Sequence, residues 1–333
     1  MVSLAPLLSL PHLEDDLARV EKALLANVRT GDPFLAEVAS HLITAGGKRL
    51  RPALAVAVGE LAGGPADDDV VMGAVAVELV HLGSLYHDDV MDEARTRRNV
   101  DSVNARWGNL VAILAGDFLL ARASEIAASL GTEVAGLLAA TIGKLCEGQV
   151  RELAQTFDVT RSEESYLTSI AGKTAALMAT ACRVGAITAG IDRPGVEALT
   201  AYGERVGMVF QIVDDILDVV ATDEELGKPA GNDLVEGVYT LPVIRALAAE
   251  ESSATLRKLL GSPLGPAQVE EARTIIRSNG AVGAAVDVAR RYAAESVEAL
   301  QQVVRVGGEG GREVMAGLST LGDHLIENIP VRA

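Results

Sequence analysis

Two acidic clusters carry the clearest chemical signal in the sequence. The pattern Asp-Asp-x-x-Asp occurs twice, and its members are Asp88, Asp89, Asp92, Asp214, Asp215 and Asp218. In a helix, the first and third acids of each pattern lie one turn apart on the same face. Carboxylates held so close together repel one another and are costly to bury without a partner. The pattern therefore predicts a cation at each cluster.

Magnesium is the cation that best suits these ligands. Mg²⁺ takes oxygen ligands, keeps several waters and usually binds through a few carboxylates together with substrate phosphates. No cysteine or pair of histidines accompanies either cluster to indicate zinc, and the lone His87 is interpreted as structural. Gln211 lies three residues before Asp214, on the same helical face. A solvated helix end is the alternative, but two similar copies at the ends of apolar helices favour metal binding.

Basic residues near the acidic clusters predict a second anion site. Two glycines at 46–47 precede the cations Lys48, Arg49 and Arg51, and backbone N–H groups of such a turn can wrap a phosphate. A further basic cluster follows the first acidic one and contains Arg95, Arg97 and Arg98. Guanidinium groups match phosphate oxygens in paired hydrogen bonds. Either cluster alone could be a surface patch, but beside two carboxylate clusters they indicate two diphosphate sites.

Four other polar residues fall in places where they could reach the same cavity. His81 lies two helical turns before Asp88. Lys173 and Thr174 interrupt an apolar helix, and a buried lysine needs an anion. Lys228 follows the second acidic cluster in a loop that could close over it.

The elements that must position these residues are helices. Apolar residues recur at three- and four-residue spacing, and proline is absent from 66–193. The predicted helices are Asp68–Asp92, Ser102–Leu130, Thr132–Phe157, Ser162–Gly190 and Pro194–Val220, and the second is apolar enough to be buried all round. We predict an all-α fold: one domain over residues 1–333, a helical bundle around a deep central apolar cavity.

Composition and charge exclude several classes of function. The net charge of −17 and pI of about 4.7 disfavour nucleic acid or an anionic membrane surface as partners. No uninterrupted apolar run reaches the roughly 20 residues of a spanning helix. The two cysteines, Cys146 and Cys182, are predicted to be buried thiols rather than a disulfide. We expect a cytoplasmic protein without a transmembrane segment.

Together these motifs resemble the all-trans isoprenyl diphosphate synthases. The resemblance covers about residues 40–245 and rests on the segments at 46–52 (GGKRLRP), 87–92 (HDDVMD), 96–98 (TRR), 172–174 (GKT), 210–218 (FQIVDDILD) and 227–229 (GKP). It implies the isoprenoid synthase fold, a homodimer, and condensation of isopentenyl diphosphate with an allylic diphosphate. The allylic C1–O bond breaks, the homoallylic double bond attacks C1, and a proton is lost to the released diphosphate.

The resemblance also implies a role for each residue of the motifs. All six aspartates of the two clusters would bind several Mg²⁺ ions, with Mn²⁺ as a substitute. The catalytic set would be Asp88, Asp89, Asp92, Lys173, Asp214 and Asp215. The leaving diphosphate would contact Arg97, Lys173, Thr174, Gln211 and Lys228, and isopentenyl diphosphate would contact Lys48, Arg51, His81 and Arg98.

The sequence departs from the family pattern at two positions. Asn99 stands where the family has glycine, and asparagine tolerates the left-handed backbone conformation that such a turn needs. Val238 stands where many members have lysine, so one phosphate-binding cation is missing.

Product length is predicted from the helix that ends in the first acidic cluster. Gly83 and Ser84, one turn before Asp88, are small, and Val80 lies one turn deeper. No aromatic side chain closes a tunnel at these positions, so we predict a C30–C50 product. A C20 product is the alternative, because a bulky residue from another helix could close the tunnel.

Two other functions remain open from the sequence. A terpene cyclase also uses an acidic cluster and Mg²⁺, but it needs no second diphosphate site. A non-catalytic subunit of a heteromeric synthase would be expected to lose acidic or basic residues that are intact here.

Overall fold

The prediction of an all-α fold is confirmed by the structure, a computed structural model that describes residues 10–226, 229–304 and 306–330. A two-residue hairpin, β1 (Thr96–Arg97) paired antiparallel with β2 (Val100–Asp101), is the one sheet within these residues. The helices are α1 (Leu13–Asn27), α2 (Pro33–Thr44), α3 (Leu50–Glu60), α4 (Asp68–Met91), α5 (Val103–Trp107), α6 (Asn109–Ser129), α7 (Thr132–Leu153), α8 (Glu163–Ile170), α9 (Ala176–Thr188), α10 (Arg193–Val220), α11 (Asp223–Leu226), α12 (Asn232–Glu236), α13 (Leu241–Ala248), α14 (Glu250–Leu259), α15 (Pro266–Ser278), α16 (Ala281–Leu300) and α17 (Gly308–Glu327).

Helices α4 and α10 carry the two acidic clusters at their carboxyl ends. The side chain of Asp67 caps α4 by accepting a hydrogen bond from the N–H of Val70. Asp192 caps α10 by accepting from the N–H of Gly195, and Pro194 occupies its first turn. Helix α9 packs against both α4 and α10 and so fixes their relative position. These predicted helices are therefore confirmed to within two residues.

Small residues let the central helices approach closely. A Cβ atom added to Gly83 of α4 would lie 3.0 Å from the carbonyl oxygen of Gly116 in α6. One added to Gly207 of α10 would lie 2.6 Å from the Cα of Ala175. These crossings explain why a sequence poor in aromatic residues still forms one continuous apolar core from Leu10 to Leu325.

Three expectations about helices and cysteines were wrong. The segment predicted as a single helix, Ser102–Leu130, breaks at Gly108, whose φ of 89° interrupts it between α5 and α6. Helix α6 is not buried all round, because Leu110 is 79% exposed and Leu114 is 66% exposed. Cys182 is buried as predicted, but Cys146 lies on the exposed side of α7.

Two apolar stretches are long enough to cross a membrane, namely α4 and the continuous segment Glu163–Thr188. Within the protein, 72% of the apolar window of the first and 67% of that of the second is buried. Both stretches pack against other helices of the bundle, as core helices of a globular domain do.

Glu60, at the end of α3, is a buried acid far along the chain from either acidic cluster. Its Oε1 is one of the buried oxygens without a hydrogen-bond partner among the described residues. Burial, with a contribution from Asp16, raises the pKa of Glu60 from 4.5 to about 7. Folding therefore favours the protonated acid, and stability decreases as the pH rises from 4.5 to 7.

We expect Glu60→Gln to stabilise the fold at pH 8 by about 2 kcal/mol, and by much less at pH 4.5. Glutamine removes the buried charge and can donate a hydrogen bond to Asp16. The measurement is urea unfolding of both proteins at the two pH values. An equal effect at both pH values would contradict a titrating Glu60.

Candidate active site

A π-helical turn, Ala171–Ala175, places Lys173 in the site. Gly172 in this turn crosses Gly148 of α7 so closely that a Cβ atom at 172 would lie 2.9 Å from a backbone carbonyl of α7. One turn further along α7, Glu152 receives a hydrogen bond from Lys173 Nζ at 2.5 Å. Lys173 is half-buried rather than buried, and its anionic partner is Glu152, which the sequence analysis did not identify.

The first acidic cluster lies beside Lys173 and Arg97. Arg97 donates to Asp89 Oδ1 from Nε at 2.7 Å and from Nη2 at 2.6 Å. Burial raises the pKa of Asp88 to about 6, with Lys173 opposing and Asp92 adding to the increase. Burial also raises the pKa of Asp92, and Glu152 contributes. The cluster thus holds several carboxylates in a place where nearby positive charge favours their ionised form.

The β1–β2 hairpin turns Arg98 back toward the glycine loop. Arg98 and Asn99 have φ values of 55° and 63°, so the turn forms with asparagine as the sequence analysis predicted. Arg98 donates to the carbonyl oxygens of Leu42 (2.9 Å) and Gly46. Its guanidinium lies directly over Gly47, where any Cβ atom would clash with it. Arg98 therefore shapes the loop that precedes Lys48.

The three aspartates of the second acidic cluster have different surroundings. Asp215 is buried and accepts hydrogen bonds from Tyr166 Oη (2.5 Å) and Gln211 Nε2 (2.8 Å). Burial raises its pKa to about 7, and Asp214 and Glu152 add to the increase. Since Glu152 acts on both Asp92 and Asp215, the structure brings the two clusters to one site.

Three polar side chains of this region contact other groups of the protein. Gln211 accepts a hydrogen bond from Thr174 Oγ1 at 2.7 Å, so both residues orient Asp215. Asp218 accepts from the backbone N–H groups of residues 232 (3.3 Å) and 233 (3.2 Å), at the start of α12. Asp214 lines the cavity. Of this cluster, Asp214 is the carboxylate with the clearest access to a ligand.

A cavity of 700 Å³ connects the glycine loop with the second cluster. Its charged side is lined by Lys48, Arg49, Arg51, Glu78, His81, Arg97, Arg98 and Asp214. Its apolar side includes Leu85, Phe210 and Leu217, so the lining is mixed rather than purely apolar. The cavity brings together the four residues predicted to bind isopentenyl diphosphate: Lys48, Arg51, His81 and Arg98.

Charge in this cavity is arranged around Glu78, a second residue missed from the sequence. Glu78 is buried in α4 and accepts from Arg49 Nη1 at 2.9 Å, with Arg98 3.8 Å away. Arg49 also pairs with Glu21, so it holds the loop rather than a ligand. Burial lowers the pKa of His81 well below its usual value, and neighbouring arginines, led by Arg51, add to this. His81 is therefore a neutral hydrogen-bonding group beside several cations.

The remaining residues of the predicted site are one lysine and the three residues predicted to set product length. Lys228 lies outside the described residues. Val80 is fully buried in α4. Ser84 is half-buried and donates to the carbonyl oxygen of His81 at 2.8 Å. Gly83 faces Gly116 and Leu120 of α6, so helix packing alone requires its small size.

The first cluster offers the donors that a hard divalent cation needs. Asp89 Oδ2 is buried and has no hydrogen-bond partner among the described residues. Asp88 and Asp92 carry pKa values raised by burial. Across the same described ranges, no three His, Cys, Asp or Glu side chains are close enough to hold a metal by themselves. Carboxylates of this kind fit a cation that completes its coordination with water and phosphate oxygens.

Comparison with known proteins agrees with this geometry. The model of the polyprenyl synthetase family matches residues 32–278. The chain belongs to this family. Nonaprenyl diphosphate synthase of Mycobacterium tuberculosis is 41% identical over 304 residues, covering 91% of this chain and 90% of that protein. The family and the class of prenyl-transferring enzyme, both predicted from sequence, are confirmed.

Two solved structures of polyprenyl synthetases show the same fold. A polyprenyl synthase from Caulobacter crescentus, complexed with calcium and isoprenyl diphosphate, has a TM-score of 0.88, 35% identity and coverage of 97% of each chain. A geranylgeranyl pyrophosphate synthase from Corynebacterium glutamicum, also complexed with calcium and isoprenyl diphosphate, has a TM-score of 0.82 and 39% identity, covering 95% of this chain and 96% of its own. Proteins named for products of different length therefore share this fold.

Proposed function

We propose that this polyprenyl synthetase condenses isopentenyl diphosphate with an allylic diphosphate, in a magnesium-dependent reaction that yields an all-trans C30–C50 product. The observation that carries the proposal is the juxtaposition of two environments. The acidic clusters converge around Glu152, and the cationic cavity lined by Arg51, His81 and Arg98 adjoins them. One side suits a metal-chelated diphosphate and the other suits a diphosphate held by cations directly.

The side chains of the protein have distinct tasks in this reaction. Asp88, Asp89, Asp92, Asp214 and Asp215 would hold or orient Mg²⁺ ions, which supply positive charge against the leaving diphosphate when bound. Arg97 and Lys173 would contact the leaving group from the side of the first cluster. Both residues already lie beside these carboxylates, so their charge is in position before the C1–O bond breaks.

The second substrate would bind on the cationic side of the same cavity. Lys48, Arg51 and Arg98 supply charge and His81 a neutral hydrogen-bonding group. The apolar side chains Leu85 and Phe210 keep water from the reacting carbons. The double bond of isopentenyl diphosphate then attacks C1 of the allylic group, and the proton lost in forming the new double bond passes to the released diphosphate.

The test is incubation of the purified chain with Mg²⁺, isopentenyl diphosphate and farnesyl diphosphate, with products resolved by length after dephosphorylation. Products of C30 or longer would support the proposal. A single C20 product would keep the reaction and contradict the length. No consumption of isopentenyl diphosphate, even with a shorter primer, would favour a cyclase, or a subunit if a partner protein restores activity.

Product length offers a sharper test at Ser84. We expect Ser84→Phe to shorten the product to C15–C20, because the ring adds bulk one turn below Asp88. The measurement is the same product analysis. Gly83→Phe is the contrasting variant: it would push a ring into the Gly116 backbone, and overpacking of this kind costs about 1–3 kcal/mol or more of folding stability. An unchanged product from a folded Ser84→Phe protein would remove this account of length control.

We also propose that the protein is cytoplasmic and forms a homodimer, and an exposed apolar face on α6 supports the homodimer. Leu110, Ile113 and Leu114 lie within one turn and a half of each other and all are exposed. Contiguous exposed apolar side chains of this kind mark association surfaces.

We expect Leu114→Glu to shift the protein from dimer to monomer, because it places two like charges across the symmetric contact. Light scattering after gel filtration measures the mass. Val304→Glu is the matched control, since Val304 is also exposed but lies far along the chain from α6. A monomeric wild-type protein would contradict the homodimer.

A further inference from the structure

Lys173 and Glu152 form an ion pair that substrate binding must disturb. The two groups are 2.5 Å apart, and the Glu152 side chain is 13% exposed. The proposed function requires Lys173 Nζ to donate to the leaving diphosphate. A carboxylate left in this environment without a cation is strongly destabilised. Glu152 therefore needs another cation when Lys173 turns to the substrate.

Arg161 is a buried cation, and not all of its donor nitrogens have a hydrogen-bond partner among the described residues. It lies between α7 and α8, is 5% exposed, and donates from Nη1 to the carbonyl oxygen of Tyr239 at 3.0 Å. Its Nε and Nη2 are buried, and within the described residues neither has a hydrogen-bond partner. Burial lowers the pKa of Arg161, and of the opposing groups Glu152 acts most strongly. The mechanism described above gives this guanidinium no task.

The position of Arg161 is fixed by groups that belong to the site. Its guanidinium carbon lies 5.6 Å from the ring centre of Tyr166, whose hydroxyl donates to Asp215. The guanidinium also donates a hydrogen bond to the carbonyl oxygen of Tyr239, the residue after Val238. Val238 carries no charge, and Arg161 is a cation of the described residues that interacts with Asp215 of the second cluster.

We propose that Glu152 exchanges its partner, from Lys173 to Arg161, when a diphosphate binds. Before binding, Lys173 pairs with Glu152, and Nε and Nη2 of Arg161 have no hydrogen-bond partner among the residues that the structure describes. After binding, Lys173 pairs with the diphosphate and Glu152 with Arg161. Glu152 then has a cationic partner in both states, and the cost of releasing Lys173 is reduced. Arg161 is thus a positioning residue that acts through Glu152, and this inference rests on the proposed contact of Lys173 with the leaving diphosphate.

A double-mutant cycle tests the exchange by a binding measurement. The probe is inorganic diphosphate with Mg²⁺, titrated calorimetrically into wild type, Arg161→Gln, Glu152→Gln and the double variant. We expect Arg161→Gln to weaken binding about tenfold, because Glu152 then retains Lys173. In the Glu152→Gln background, Arg161→Gln should have less than a threefold effect, because no buried carboxylate remains to be compensated. Arg290→Gln, a variant of an exposed arginine on α16, should bind as wild type does.

Arg161→Lys is the control that distinguishes loss of the charge from a folding defect. Lysine retains the charge, so this variant should bind more tightly than Arg161→Gln at a similar melting temperature. Wild-type binding by Arg161→Gln, or an equal loss in both Glu152 backgrounds, would overturn the exchange. If the cycle shows coupling but isopentenyl diphosphate is not consumed, the proposed function fails alone. If the reaction proceeds without coupling, the exchange fails alone.

Discussion

Replacing Asp88 by asparagine is expected to lower kcat/KM for chain elongation about 10³-fold. Asparagine keeps the shape of the side chain but removes an anionic oxygen from the first cluster. The buried surroundings that raise the pKa of Asp88 to about 6 show how strongly this position depends on added cations. Loss of one preorganised electrostatic element typically costs about 10²–10³-fold in rate. Initial rates with isopentenyl and farnesyl diphosphates at saturating Mg²⁺ measure the effect.

Asp218→Asn is the control that the structure provides within the same motif. The carboxylate of Asp218 accepts N–H groups at the start of α12, so it acts mainly as a helix cap. We expect its replacement to lower the melting temperature, with a loss of kcat/KM of about tenfold or less. If Asp218→Asn is as inactive as Asp88→Asn while its melting temperature is unchanged, Asp218 is a metal ligand and the distinction drawn here is wrong.

The helices were predictable because their signals are local. The three- and four-residue apolar spacing and the absence of proline from 66–193 predicted α4 and α10 to within two residues. The break at Gly108 was missed because one glycine is tolerated in many helices, and its positive φ is not visible in the sequence. The exposure of Leu114 was missed because, in the sequence, an exposed apolar residue cannot be told from one that faces the core.

The site was only partly predictable, for a related reason. The aspartates and Lys173 lie in short motifs, and the residue types of these motifs indicate metal and phosphate binding. Glu78, Glu152 and Arg161 are single charged residues, and their importance appears only when distant segments meet. Glu78 did carry a signal, because it is the one acid among the apolar residues 70–86 of its helix. The pairing of Glu152 with Lys173 depends on the crossing of two glycines, which spacing alone does not reveal.

Arg51→Gln is expected to raise KM for isopentenyl diphosphate about 10²-fold, with a much smaller change in kcat. Arg51 lines the cavity, and its buried Nε has no hydrogen-bond partner among the described residues. Burial lowers its pKa to about 10, with Arg98 adding to the decrease and Glu78 opposing it. A cation crowded by another cation and short of partners is stabilised by an anionic ligand. Steady-state kinetics with isopentenyl diphosphate varied at fixed farnesyl diphosphate measure the change.

Arg49→Gln is the control for Arg51→Gln. Arg49 lies two residues before Arg51 and supports the loop rather than the ligand. Arg49 pairs with Glu78 and Glu21, so its loss leaves a buried carboxylate short of a partner. Removing one partner of a buried ion pair costs about 3–5 kcal/mol, which should appear as a lower melting temperature. The Arg51 variant should instead retain its stability, or gain some, because a desolvated charge has been removed. If both variants lose stability and neither changes KM for isopentenyl diphosphate, the cationic cavity is structural and the second diphosphate must bind elsewhere.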